Sequence, residues 1–124
     1  MLVPAGSAPQ FWFGEHLFRF LINGDKTNGS YSALEFESPH GSGPQPHIHP
    51  DSEERFLVLE GEVHFTVDDQ TFVARHGDFV HVPRATTHAF EVLSERARVF
   101  ASFSPAGEEE MFMAEATRQH NIAF

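Results

Sequence analysis

An all-β sandwich or barrel is the fold class this sequence predicts, and three observations predict it. Apolar residues recur mostly with a period of two, not 3.6. The runs are short, and turn residues interrupt them at intervals of roughly eight to twelve positions. No internal repeat or low-complexity block competes with that pattern.

The first run, Leu17 to Ile22, is apolar and closes on Asn23, Gly24 and Asp25. Tyr31 to Phe36 alternates and stops at Ser38-Pro39. The stretch from Ser38 to Pro50 holds four of the eight prolines and two glycines, so it reads as a loop. It also carries His40, His47 and His49, which makes it either a surface excursion or a functional rim. Phe56 to Leu59 is apolar throughout; Val63, Phe65 and Val67 then alternate with His64 and Thr66 up to the Asp68-Asp69 turn. Short strands follow at Thr71 to Ala74, Phe79 to Val82, His88 to Leu93 and Arg98 to Phe103.

A helix is predicted only near the C-terminus. Ser104 is placed to cap it, Pro105 suits its first turn, and Glu108, Glu109 and Glu110 complement the positive end of a helix dipole as a solvated acidic start. Its apolar face, Met111, Phe112 and Ala116, is thin and suits a short helix laid against a barrel.

At 124 residues, one domain spanning 1–124 is expected. The chain has 18 acidic and 8 basic residues and a net charge of −10. Lys26 and the scattered arginines form no basic stripe, which argues against nucleic acid and against an anionic membrane surface. The first ten residues lack a basic, apolar leader pattern, and no run reaches the ~20 apolar residues of a membrane span, so a cytoplasmic protein is expected.

Cysteine is absent, which removes disulfides, thiolate metal sites and thiol nucleophiles and leaves imidazole and carboxylate as the metal donors. Fourteen of the 16 aromatic residues are Phe, an excess that suits a dry core or an apolar cavity.

His47 and His49 are two apart, so on a strand both imidazoles share a face. Glu54 leads the alternation Glu54, Phe56, Val58, and His88 leads His88, Phe90, Val92, so both project into an apolar interior. Three neutral imidazoles and one carboxylate suit divalent Fe, Ni, Cu, Zn, Mn or Co. With such an ion the set carries a net positive charge of about one, which favours an anionic oxygen such as a phenolate. Phe56, Phe65 and Phe90 are candidates to line the cavity, although core filling is the commoner fate of a strand Phe. His16, His40, His64, His76, His81 and His120 have no partner at ligand spacing. Of these, His64 and His81 suit an outer face or an oligomer contact and His76 a turn. Leu57 and Leu59 face outward on a strand whose inner side is also apolar and need cover from another sheet, another segment or another subunit, so a homodimer is expected.

The segment Gly41 to Gly61, GSGPQPHIHPDSEERFLVLEG, resembles the first cupin motif, and Gly77 to His88, GDFVHVPRATTH, is similar to the second. Ala85 stands where a glycine is usual and Val92 where an asparagine often sits. Alanine tolerates a positive φ poorly, so the turn before His88 is expected to differ, and Val92 to dry that part of the interior. Gly14 to Phe36 and Pro105 to Phe112 also look like single-domain cupins of the quercetin dioxygenase type.

The resemblance implies a jelly-roll (double-stranded β-helix) barrel of two antiparallel sheets. It also implies one divalent transition-metal ion held by His47, His49, Glu54 and His88, with the spacing to Gly61 selecting Glu54 over Glu53. It further implies a metal-dependent dioxygenase that uses dioxygen to cleave a flavonol or similar aromatic or enolic compound, with Glu54 both ligand and general base. The same ligands serve isomerases, decarboxylases and cyclases on small metabolites, and a barrel cavity can also bind a ligand without transforming it.

Overall fold

Alternating burial carries the two-residue period directly into the architecture. The computed structural model describes residues 1–110. Its strands are β1 (Gln10–Phe13), β2 (His16–Ile22), β3 (Ser32–Pro39), β4 (Glu53–Glu60), β5 (Glu62–Val67), β6 (Gln70–Arg75), β7 (Phe79–Val82), β8 (His88–Val92) and β9 (Arg96–Ser104). They form two antiparallel sheets, ordered β1-β2-β3-β9-β4-β7 and β6-β5-β8. Among the described residues, no helix is long and apolar enough to cross a membrane.

Along β4, Glu54, Phe56 and Val58 are buried while Arg55, Leu57 and Leu59 are only half-buried. The apolar side chains of both sheets meet in one core containing Phe18, Phe36, Phe56, Phe65, Val63, Val92 and Phe103. Each buried Phe or Val contributes about 1.5–3 kcal/mol of transfer free energy. Val92 is fully buried and pairs with Val63, so the missing asparagine does leave an apolar layer.

Strand β9 organises the larger sheet. It pairs with β3 from Ser32↔Phe103 to Pro39↔Arg96, and with β4 from Glu53↔Ser104 to Glu60↔Arg98. Phe103 is therefore level with both Ser32 and Glu54.

Three features differ from the sequence reading. β1 was not among the predicted strands; it pairs with β2 from Gln10↔Arg19 to Phe13↔His16 across a two-residue turn containing Gly14. The aromatic trio Phe11, Trp12 and Phe13 followed by glycine was the available signal. Ser104 ends β9 instead of capping a helix, and a helical turn begins at Glu108. The predicted apolar face, Met111, Phe112 and Ala116, lies outside the described residues.

The acidic run is the third difference, because it is not uniformly solvated. Glu109 is 1% exposed and accepts hydrogen bonds from the backbone N–H of Gly24 at 3.0 Å and of Gly107 at 2.7 Å. Burial pushes its pKa up, but these donors outweigh burial and hold the carboxyl below its ordinary value of 4.5. A carboxylate held low stabilises the fold fully above its unfolded pKa, and that stability is lost as pH falls through the folded one. Glu109→Gln is expected to cost about 2 kcal/mol at pH 7. In urea titrations its deficit against the parent should shrink as pH drops below 4.5.

Ala85 takes the left-handed conformation itself, at φ 59°, and its N–H bonds to the His49 carbonyl at 3.0 Å. The turn before His88 therefore keeps a positive-φ position despite the alanine, because that bond anchors it. Ala85→Gly relieves the clash between Cβ and the backbone and is expected to add about 1 kcal/mol. Calorimetry should then show Tm higher by about 4 °C.

Candidate metal centre

The loop after β3 folds back alongside β8 and extends the smaller sheet. Gly41 N–H donates to the Val92 carbonyl and Val92 N–H to the Ser42 carbonyl, at 2.8 and 2.9 Å. His47 and His88 exchange both backbone bonds, at 3.0 and 2.9 Å, forming a bridge. Their rings consequently lie 4.1 Å apart. Gly43 permits this approach: its φ is +150°, and a Cβ there would stand 1.8 Å from the Phe90 carbonyl oxygen.

Strand β4 brings Glu54 to the same place. One donor atom from each of His47, His49, Glu54 and His88 lies within 4.8 Å of the other three. Three of the four side chains are buried, and His47 is half-buried at the rim. The four residues singled out from spacing are thus gathered into one group able to hold a metal ion.

The ring nitrogens are sorted. His47 Nδ1 faces the Gln45 carbonyl at 2.8 Å and His88 Nδ1 the Thr86 carbonyl at 2.9 Å, so each must donate its proton there. His49 Nδ1 faces the Glu108 carboxylate at 3.1 Å. Each ring therefore keeps Nε2 for the centre of the group. The Nε2 atoms of His88 and His49 stand 3.1 and 3.6 Å from Glu54 Oε1. Three imidazoles tethered at Nδ1 by outer acceptors, with a carboxylate between them, fit a first-row divalent ion.

Burial lowers the pKa of His47 and His49 below the usual 6.5, although Gln45 and Glu108 respectively oppose it, so both rings are neutral at pH 7. Burial pushes the Glu54 carboxyl above its ordinary value, with the His88 hydrogen bond opposing. For His88, burial pulls the pKa down, but Glu54 and the Thr86 carbonyl outweigh it and the ring titrates above 6.5.

The group opens onto a cavity of about 290 Å³. Its apolar wall includes Phe13, Phe18, Phe36, Phe56, Phe90 and Phe103. Phe56 and Phe90 both line it. Phe65 sits one layer back, 1% exposed, with its ring 5.1 Å from Phe56 and 5.6 Å from Phe90. It supports the wall without forming it.

Sequence reasoning passed over four polar residues here. Glu108 reaches His49 from the turn after β9, and Ser52 Oγ donates to its other oxygen at 3.3 Å. His16 and Ser38 line the cavity, with His16 Nδ1 2.6 Å from Ser38 Oγ. The alternation His16, Phe18, Phe20 was a legible signal for His16, whereas nothing local marks Glu108 or Ser38. Among the remaining histidines, His40 Nδ1 meets the Leu93 carbonyl at 2.8 Å. His64 is half-buried, His81 and His76 are exposed, and His120 lies outside the described residues.

A family model described as the cupin domain matches residues 34–103. The chain is 26% identical over 98 residues to a quercetin 2,3-dioxygenase of Bacillus subtilis, covering 79% of this chain and 29% of that enzyme. It is 28% identical over 103 residues to a quercetin 2,3-dioxygenase of Aspergillus japonicus, covering 77% of this chain and 29% of the relative. The chain thus spans less than a third of the length of either. Among solved structures, an RmlC-like cupin from Shewanella frigidimarina superposes with a TM-score of 0.76 at 23% identity, over 87% of this chain and 93% of that one.

Proposed function

The chain belongs to the cupin domain family, and from that premise we propose that it is a quercetinase-like, metal-dependent dioxygenase acting on a flavonol or similar small aromatic or enolic compound. One observation carries the reading: a tethered three-histidine, one-carboxylate group opens directly onto a Phe-walled cavity large enough for a small aromatic molecule. His47, His49, Glu54 and His88 would hold one divalent transition-metal ion. Such an ion supplies Lewis-acid polarisation of a substrate oxygen and redox chemistry with dioxygen.

The rest is the work of the chain. Glu54 is the proposed general base: its burial raises its affinity for a proton, and it accepts the enolic proton at its carboxylate. The Phe walls exclude water and offer ring faces and edges to a planar substrate. The neutral His47 and His49 rings leave Glu54 as the anionic member of the group.

Oxygen uptake and product analysis with a flavonol panel, on protein of measured metal content, test the reading. Ring-cleaved product with matching oxygen consumption is expected. Turnover that persists without oxygen would reject it in favour of an isomerase, decarboxylase or cyclase. Stoichiometric retention of unaltered compound would leave a binding module.

A homodimer is part of the proposal. Leu57 pairs with Phe79, which is 62% exposed, and both lie on the outer side of the larger sheet near its β7 edge. Sedimentation showing only monomer would remove this element.

A further inference from the structure

The cavity has a polar group at each end. Phe103 is level with Glu54 and with Ser32, whereas Ser38 lies six residues further along β3. A strand advances about 3.3 Å per residue, so Ser38 and its partner His16 belong to the opposite end of the wall. A run of rings links the two ends: His16–Phe18 at 6.3 Å, Phe18–Phe36 at 6.0 Å, Phe36–Phe90 at 5.5 Å and Phe90–Phe56 at 5.8 Å between centroids.

The His16–Ser38 bond has a preferred sense. Ser38 is fully buried, and among the described residues His16 Nδ1 is the hydrogen-bond partner of its hydroxyl. If Nδ1 carried the proton, the Ser38 hydroxyl hydrogen would be buried with no acceptor among the described residues, which costs about 1–3 kcal/mol. The hydroxyl therefore donates to Nδ1, and the ring proton resides on Nε2. Burial lowers the His16 pKa, with Glu15 opposing, so the ring is a neutral donor at pH 7.

We propose that His16, oriented by Ser38, is a second polar anchor of the cavity, donating Nε2–H to an oxygen of the ligand remote from the oxygen held at the His47, His49, Glu54 and His88 group. The ligand class narrows accordingly to extended, planar, polycyclic aromatics with an acceptor oxygen at both ends. The inference rests on the flavonol reading for its probes. His16 is a specificity-determining residue and Ser38 a positioning residue.

Three probes test it: 3-hydroxyflavone and its two derivatives carrying one further hydroxyl, at the 4′ or at the 7 position. Each is titrated by absorbance, without oxygen, into protein loaded with the ion that elemental analysis identifies. One derivative is expected to bind about three- to tenfold more tightly than the parent flavone, the range of one net hydrogen bond. His16→Phe should erase that preference, His16→Gln should restore part of it, and Ser38→Ala should weaken it. Ring-nitrogen NMR should find His16 Nδ1 unprotonated and Nε2 protonated.

A preference that survives in His16→Phe, or no preference in the parent protein, overturns the inference and leaves the flavonol reading standing. The opposite tautomer overturns it too. Failure of all three flavones to bind overturns both.

Discussion

His88→Ala is expected to abolish metal retention, lowering the content of purified protein from one ion per chain to less than about a tenth and the affinity by more than about 100-fold. His88 is 2% exposed, its Nδ1 is tied to the Thr86 carbonyl, and its Nε2 faces Glu54, so its loss removes a ring already held in place for the group. The metal-free protein should also lose about 3 kcal/mol, because Glu54 is left buried without its hydrogen-bonded partner. Adding Glu54→Gln should return part of that loss but none of the metal, which separates the stability effect from the binding effect. Glu108→Gln weakens the tether on His49 Nδ1, and a loss of about 10–100-fold in competition titrations is expected.

Acidification should mimic the mutation. Metal binding requires neutral imidazoles and therefore displaces any proton from them. His47 and His49 are already neutral at pH 7, whereas His88 holds its proton to higher pH. Affinity should rise with pH through the range above 6.5 in which His88 titrates. A pH-independent affinity there would contradict the assignment of His88 as a ligand.

Gly43→Ala is expected to be among the most destabilising small substitutions in the chain, at about 4 kcal/mol. The added Cβ meets the Phe90 carbonyl oxygen at 1.8 Å, its carbon at 2.7 Å and the Glu91 Cα at 3.2 Å, all backbone atoms unable to rotate away. The φ of +150° is itself costly for an L side chain. Relief requires lifting the loop from β8, which would pull His47 from His88 and loosen the Phe90 wall. Urea denaturation should show the loss, and metal content should fall with it. Gly41→Ala is the control: its Cβ meets nothing within 4 Å, so only the backbone cost at φ +78° remains.

Glu54 and His88 lie on strands whose alternation sets the face of each side chain, whereas His47 and His49 were marked by their spacing and sit in the loop after β3, where His47 pairs with His88. The apolar run at positions 56–59 and the alternations at 63–67 and 88–92 each lie in a strand. β1 escaped because its trio of adjacent aromatics shows no alternation. Glu108 and Glu109 were misread as solvated because acidic residues in series usually are. Their burial depends on where the chain lands after β9, beside Gly24, Ser52 and His49.

The sequence by itself determined the strand-rich architecture, the exclusion of thiol chemistry and the imidazole and carboxylate donor types open to a metal ion. These follow from local periodicity and residue chemistry, which need no knowledge of distant neighbours. Only the tertiary structure decided that Phe56 and Phe90 face the cavity while Phe65 backs them, that Nε2 of each histidine is the atom left for the centre, and that His16 and Ser38 form a polar pair. Alternation sets which face a side chain takes. The depth of that face, and what stands across from it, are set by pairings such as β3 with β9 and β5 with β8, between segments far apart in the chain.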